Sequence, residues 1–146
     1  SLVRRVIAEA GLDLHVDPGG LGAPLGEVLL APTRIYAREL LALREAFPLD
    51  GMAHITGGGL PGNVPRMLPA GLGARLHRGS WPVPPIFGLL AEAGGLRPAD
   101  LDPTFNQGLG MVLAVPAEAA EACAAAAGGW VVGEVVVDAE GRAELV

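Results

Sequence analysis

One short segment carries the residue types that backbone anion binding requires. His54-Ile55-Thr56 reads as the end of a strand and runs into Gly57-Gly58-Gly59, after which a helix is predicted to begin. Because glycine has no Cβ, a phosphate can approach its backbone N–H groups closely. No Gly-Lys-Ser/Thr follows, so the segment is not a P-loop. The pattern predicts an anion site at Gly57–Gly59, although a tight turn without a ligand fits the same residues.

His54 is the histidine best placed for chemistry. Period-two alternation along a strand puts His54 and Thr56 on the same face, next to the glycines. His54 could act as a general base or a hydrogen-bond donor there, or it could be a strand histidine satisfied by backbone groups. His15 and His77 fall in or near turns, and no spacing of His, Asp and Glu resembles a metal site.

Three polar residues are predicted at the starts of helices. Asn63 can cap a short helix that has Pro65 in its first turn. Arg34 and Arg66 stand near helix starts, where a positive charge opposes the helix dipole. Each guanidinium group is therefore either a candidate for binding an anion or acidic partner, or a solvated surface group.

Composition excludes several function classes. The chain has 146 residues, the size of one domain, and 51% of them are apolar. All ten basic residues are Arg, which excludes lysine nucleophiles and Schiff bases, and the net charge of −6 argues against nucleic-acid binding. The single cysteine, Cys123, allows no disulfide framework and is predicted to be packing. No apolar run is long enough for a membrane span, and the chain opens inside a helical pattern, as a fragment of a longer protein would.

Helical and strand patterns alternate, which predicts an α/β or α+β domain with helices packed on a sheet. A turn-rich connector is expected over residues 12–32. Helices are predicted at residues 1–10, from the N-cap Thr33 to Phe47, after Asn63, from Pro84-Pro85 until Gly94 closes the helix, and over 116–127, with one helical turn at 99–101. Strands are predicted at residues 51–56, 72–76 and 104–115, with a hairpin of 131–137 and 143–146 at the end.

Six strings, in their order and spacing, resemble the C-terminal domain of the phosphoribosylformylglycinamidine cyclo-ligases, also called aminoimidazole ribonucleotide synthetases. Each string alone is weak, but the six in register span essentially the whole chain. They are Ser1-Leu2-Val3-Arg4, Leu30-Ala31-Pro32-Thr33-Arg34-Ile35-Tyr36, His54 to Gly59, Asn63-Val64-Pro65-Arg66 with Leu68-Pro69, Trp81 with Pro85, and Thr104-Phe105-Asn106 through Gly110-Met111.

This resemblance implies a three-layer α/β/α domain with partial ferredoxin-like topology and helices packed on a mixed sheet. Residues 1–146 would be the substrate-side domain of a cytoplasmic, homodimeric enzyme without a membrane or nucleic-acid partner. An N-terminal ATP-binding domain of the same protein would lie outside this chain. ATP and Mg would bind the full-length enzyme, whereas no cofactor and no activity are expected of the 146 residues alone.

The resemblance also implies a reaction and a site. The reaction is ATP-dependent ring closure of formylglycinamidine ribonucleotide to aminoimidazole ribonucleotide in purine synthesis, in which the formyl oxygen is phosphorylated, a nitrogen attacks and phosphate leaves. His54 would be catalytic, and the substrate-binding residues would be Thr56, Gly57, Gly58, Gly59, Asn63 and Arg66. Two residues depart from the common pattern: Gly62 replaces a Glu, and Gln107 replaces an apolar residue or Cys.

Two other functions remain open at this point. One is a relative in the same superfamily, such as a selenophosphate synthetase or a thiamine-phosphate kinase. The other is a stand-alone, non-catalytic module that binds an anion or a ribonucleotide. An ATP-binding domain upstream in the open reading frame would favour the cyclo-ligase, and a Met directly before Ser1 would favour the module.

Overall fold

The computed structural model describes the backbone of residues 1–146 and every side chain except that of residue 98. The helices are α1 (Leu2–Ala10), α2 (Leu25–Leu29), α3 (Ala37–Ala46), α4 (Gly59–Asn63), α5 (Pro85–Ala93), α6 (Pro98–Leu101) and α7 (Ala120–Ala127). The strands are β1 (Gly51–His54), β2 (Leu72–Leu76), β3 (Met111–Ala114), β4 (Gly133–Val137) and β5 (Ala143–Leu145), and 3₁₀ segments cover Val64–Met67 and Ala117–Ala119. Helices and strands alternate, so the predicted α+β class is confirmed.

The chain divides into two compact units. Unit 1 comprises residues 1–33 and 83–101 and is helical, with α1, α2, α5 and α6. Val6 is the buried residue of α1. A Cβ at Gly94, after α5, would lie 2.8 Å from the Cγ2 of Val6. The bare backbone at Gly94 therefore lets α1 and the end of α5 pack closely.

The connector expected over residues 12–32 contains a short helix that the sequence prediction missed. The N–H of Leu25 donates to the carbonyl of Val16, and that of Gly26 donates to the carbonyl of Leu14, both at 2.9 Å. These bonds satisfy the first amides of α2, which otherwise have no partner within the helix. The helix therefore forms through backbone contacts that have no sequence signature.

Unit 2 comprises residues 34–82 and 102–146 and holds two sheets. In the first, β1 pairs antiparallel with β3, with Gly51 opposite Ala114 and His54 opposite Met111. In the second, β2 lies between β4, to which it is antiparallel, and β5, to which it is parallel. The core of the unit is formed by Ala53, Ile55, Leu60, Val64, Ala74, Leu76, Trp81, Leu109, Val112 and Ala143.

The predicted terminal hairpin is wrong, because β2 lies between its two strands. Residues 138–142 cross the end of β2, where the N–H of Asp138 donates to the Gly71 carbonyl and the N–H of Ala74 donates to the Arg142 carbonyl. A Cβ at Gly73 would overlap the Arg142 carbonyl oxygen. The missing side chain at Gly73 therefore lets the connection pass over β2 and place β5 on its far side.

The long strand predicted over residues 104–115 is also wrong in its first half, since β3 begins only at Met111. The Asn106 side chain accepts a hydrogen bond from the Gly108 N–H at 3.0 Å, and the Asn106 carbonyl accepts one from the Leu109 N–H at 2.9 Å. Gln107 has a φ of +54°. An asparagine turn thus replaces the strand at this point, because its side chain competes with ladder bonds for the backbone.

The second helix begins later than predicted. Thr33 does not cap it; α3 starts at Ala37 and its N-cap position is Tyr36, whose carbonyl accepts the N–H of Leu40 at 2.9 Å. Arg34 instead reaches forward to Glu39 in the first turn, with Nη2 and Oε1 2.7 Å apart. The segment from Ala31 to Tyr36 therefore enters the helix as irregular chain.

Candidate functional site

The glycine loop, defined as residues 57–59, follows directly from β1. That strand ends at His54, two residues before the predicted end at Thr56. Ala53 and Ile55 are buried in the core, while His54 and Thr56 are exposed, so the predicted alternation is confirmed. The Thr56 carbonyl accepts the N–H of Gly59 at 3.0 Å, which closes the turn into α4.

The three glycines of the loop are required for different reasons. A Cβ at Gly59 would overlap the carbonyl oxygen of Asp102 and lie 2.8 Å from that of Phe105, so Gly59 is fixed by packing inside the unit. Gly58 has a φ of +98°, which side chains rarely adopt, but it has room around it. At Gly57 no atom of the chain lies within 4 Å of a Cβ position. Gly57 therefore has the most open surroundings of the three glycines.

Asn63 does not cap the helix that follows it, contrary to the sequence prediction. It stands at the N-cap position of the 3₁₀ segment Val64–Met67, but its side chain makes no capping bond. Its side-chain amide is buried and donates instead to the carbonyls of Gly59, Gly57 and Thr56, at 2.8, 3.2 and 3.4 Å. Asn63 thus holds the loop from its inner side through its side-chain Nδ2.

Arg66 is not brought into this cluster. It is the third residue of the four-residue 3₁₀ segment, near the start of the segment as predicted and also in its last turn. Its side chain is exposed and has no hydrogen bond or ion pair with any residue the structure describes. The structure therefore assembles His54, Thr56, the three glycines and Asn63, with Arg66 free in solvent.

A buried polar network behind the loop was missed by the sequence analysis. Asp102 is 8% exposed, and both of its carboxylate oxygens bind the guanidinium group of Arg78. Gln107 is 6% exposed and donates its side-chain amide to Asp102 at 3.4 Å. The indole N–H of Trp81 donates to the Gln107 carbonyl at 2.9 Å, so Trp81 packs this loop. The network holds the Asp102 backbone against Gly59.

His54 has one aromatic neighbour. The ring of Tyr36 meets the imidazole edge-on, with centroids 6.1 Å apart and planes at 64°. The guanidinium carbon of Arg34 lies 5.7 Å from the centroid of the Tyr36 ring. Hydrogen bonding to Glu39 raises the pKa of Arg34, so this guanidinium group carries its charge at every working pH. Tyr36 therefore contacts both His54 and the positively charged Arg34.

A cleft of about 640 Å³ in unit 2 lies beside Arg34 and Tyr36. It is lined mainly by apolar side chains of α3, β3, α7 and β4, and the buried Cys123 is among them, which agrees with its predicted packing role. Arg34, Tyr36 and Gly110 are among the described residues that border the cleft, whereas His54, Asn63 and the glycine loop are not. The open face at Gly57 is thus a surface feature rather than the wall of an enclosed cavity.

The described side chains offer no ready metal site. No group of three or more His, Cys, Asp or Glu residues stands close enough together to hold an ion. The same part of the chain contains no helix with the length and apolar character that crossing a bilayer would demand.

These features can be compared with known proteins. The family model described as "AIR synthase related protein, C-terminal domain" matches residues 1–146. The chain belongs to this family, and the resemblance identified from the sequence strings is confirmed.

Three of the relatives show how similar the chain is to known proteins and how much of their length it covers. A protein of Gloeobacter violaceus is 58% identical over 84% of this chain and 36% of its own length. One of Symbiobacterium thermophilum is 49% identical over 100% of this chain and 44% of its own length, and one of Acetivibrio thermocellus is 47% identical over 97% and 43%. Each is called a phosphoribosylformylglycinamidine cyclo-ligase. The chain therefore spans less than half the length of the relatives it matches.

Proposed function

We propose that the chain acts as the substrate-side domain of a phosphoribosylformylglycinamidine cyclo-ligase, which converts formylglycinamidine ribonucleotide to aminoimidazole ribonucleotide. The identities of 47–58% with proteins of that name support this activity. The observation that carries the site is the open backbone at Gly57, beside the exposed His54 and Thr56. A ligand needs that combination of free backbone and exposed polar side chains.

In this proposal the glycine loop binds the phosphate of the ribonucleotide. The N–H groups of Gly57 and Gly58 donate to no carbonyl among the described residues, so they are free to donate to phosphate oxygens. The Thr56 hydroxyl can add a donor from the same exposed face. Asn63 contributes by keeping the loop in shape, and Arg66 contributes positive charge to an otherwise acidic chain.

His54 is proposed to handle the proton of the attacking nitrogen. Its imidazole is exposed at the end of β1, three residues before the loop that would hold the phosphate. General acid–base help of this kind is worth about 10²–10⁴-fold in rate. We therefore expect His54→Asn to lower kcat by at least about a hundredfold with a smaller change in KM. A kcat within about threefold of wild type, far short of the acid–base range, would make His54 structural.

ATP and Mg are assigned to a different part of the protein. The resemblance to the cyclo-ligases implies an ATP-binding domain outside these residues, and the sequence has no lysine for a phosphate-binding loop. We infer that the part of the cyclo-ligase N-terminal to this chain binds ATP and forms the dimer, and that the whole enzyme works in the cytoplasm. When bound there, ATP supplies the phosphoryl group that activates the formyl oxygen.

The test uses the product of the complete open reading frame. It should form aminoimidazole ribonucleotide from formylglycinamidine ribonucleotide only with ATP present, and the 146-residue chain alone should form none. A reading frame with a Met directly before Ser1 and no further domain would overturn the proposal and favour a stand-alone anion-binding module. Turnover of selenide rather than of the ribonucleotide would favour a selenophosphate synthetase.

A further inference from the structure

Tyr36 packs closely against Gly110, just before β3, because glycine has no side chain there. A Cβ at Gly110 would overlap the Tyr36 hydroxyl oxygen and lie 2.7 Å from its Cζ. The Gly110 carbonyl in turn accepts the N–H of Ile55 at 2.9 Å, next to His54 on β1. The hydroxyl end of the tyrosine ring therefore packs against Gly110, which directly precedes β3 and is hydrogen-bonded to the residue after His54.

The Tyr36 ring also contacts a positively charged side chain. Arg34 lies over Tyr36 at 5.7 Å and is itself anchored by Glu39 at 2.7 Å. A guanidinium group over an aromatic face is attracted to the negative charge of that face. With Gly110 at its hydroxyl and Arg34 over the ring, Tyr36 has little freedom to move.

The Tyr36 ring also contacts the His54 imidazole. The centroid distance of 6.1 Å and the angle of 64° are those of an edge-to-face pair. An exposed histidine at the end of a strand would otherwise sample several side-chain rotamers. A rigid ring beside it removes those that would occupy the same space.

We propose that Tyr36 is the positioning residue for His54. It holds the imidazole in one orientation at the loop end of β1, so that the ring nitrogen presented to substrate is constant from one turnover to the next. This role rests on the proposed function of His54 in the cyclo-ligase reaction. It assigns a purpose to Tyr36 and Gly110 that neither loop geometry nor anion binding requires.

The first experiment needs no measurement of activity. The product of the complete open reading frame, labelled at histidine and tyrosine rings, should give a nuclear Overhauser effect between Tyr36 and the histidine signal that disappears in His54→Asn. Its absence in the folded protein would overturn the proposal. A failure of the cyclo-ligase assay would not affect this result, so the two failures are distinguishable.

The second experiment is kinetic. A misplaced catalytic group can lose up to about a hundredfold in rate, so Tyr36→Leu should lower kcat by at least about tenfold with KM within about threefold. Tyr36→Phe keeps the ring and should recover most of that loss. Leu41→Ala, at an exposed position on α3, is the control and should behave as wild type.

The double variant separates positioning from packing. If Tyr36 acts through His54, then Tyr36→Leu adds no further loss of kcat in a His54→Asn background. Full additivity of the two losses would overturn the proposal, as would a Tyr36→Leu enzyme with wild-type kcat. If Tyr36→Leu does not fold, the Overhauser effect in the wild-type protein decides the matter.

Discussion

Replacing Gly59 by alanine tests whether the glycine loop is shaped from inside the domain or by its ligand. Gly59 has a φ of +58°, and a left-handed backbone costs a residue with a Cβ about 1–2 kcal/mol. The new Cβ would also overlap the carbonyl oxygen of Asp102. Since that atom belongs to the backbone and Asp102 is tied to Arg78, relief requires a backbone shift, for which overpacking costs are about 1–3 kcal/mol.

The two effects together destabilise the chain by about 2–5 kcal/mol. In a domain of this size, a loss of 1 kcal/mol lowers Tm by about 2–4 °C. We therefore expect the Tm of Gly59→Ala, measured by circular dichroism on the 146-residue chain, to fall by on the order of 10 °C.

Gly57→Ala is the matched control. Its Cβ would meet no atom within 4 Å and its φ lies outside the left-handed region, so stability should change by less than about 0.5 kcal/mol. Phosphate affinity, measured by calorimetry, should instead fall in Gly57→Ala, because the methyl group covers the open backbone. A wild-type Tm for Gly59→Ala would refute the packing argument. Equal destabilisation of the two variants would refute the distinction between them.

Three further predictions concern stability. Asn63→Asp directs a carboxylate at three carbonyls and should cost about 3 kcal/mol or more in urea unfolding at pH 7; burial raises the pKa of the new carboxyl, so the loss should shrink at about pH 4. The Glu140 N–H and the Arg142 side chain lower the pKa of Asp138 from 3.8, so its contribution is present above that value and lost as pH falls. Asp138→Asn should therefore flatten the decline of Tm below about pH 5, and an unchanged decline would contradict this. Gly73→Ala should lower Tm and speed hydrogen exchange in β5, because its Cβ would overlap the Arg142 carbonyl oxygen; unchanged exchange would count against the crossover.

Local pattern was enough for much of the fold. Helix α1 and the strand β2 lie where their periodicities predict them, and the Ala-rich helix ends before Gly128 as expected. The alternation that buries Ala53 and Ile55 also fixes which face of β1 carries His54. Each of these features depends on residues within one or two turns of each other, and such relations can be read directly from sequence.

Part of the candidate site could also be predicted. The three glycines and His54 were identified because their spacing has a chemical meaning. The direction of the Asn63 side chain could not be predicted, because capping and loop bonding compete for one amide and the carbonyls nearby decide between them. The network of Arg78, Asp102 and Gln107 had no local signal, since its members lie up to 29 positions apart in the sequence.

The class of fold, the family and the position of the glycine loop depend on residue types in order along the chain, so they could be predicted from the amino-acid sequence. Strand pairing and the separate roles of the three glycines depend on long-range packing. β5 lies beyond β2 rather than beside β4 because Gly73 allows a close crossing. Gly59 is enclosed by Asp102 whereas Gly57 faces open space. Both outcomes depend on which backbone atoms from distant parts of the chain lie next to the glycine. A glycine in the sequence does not show which atoms these are.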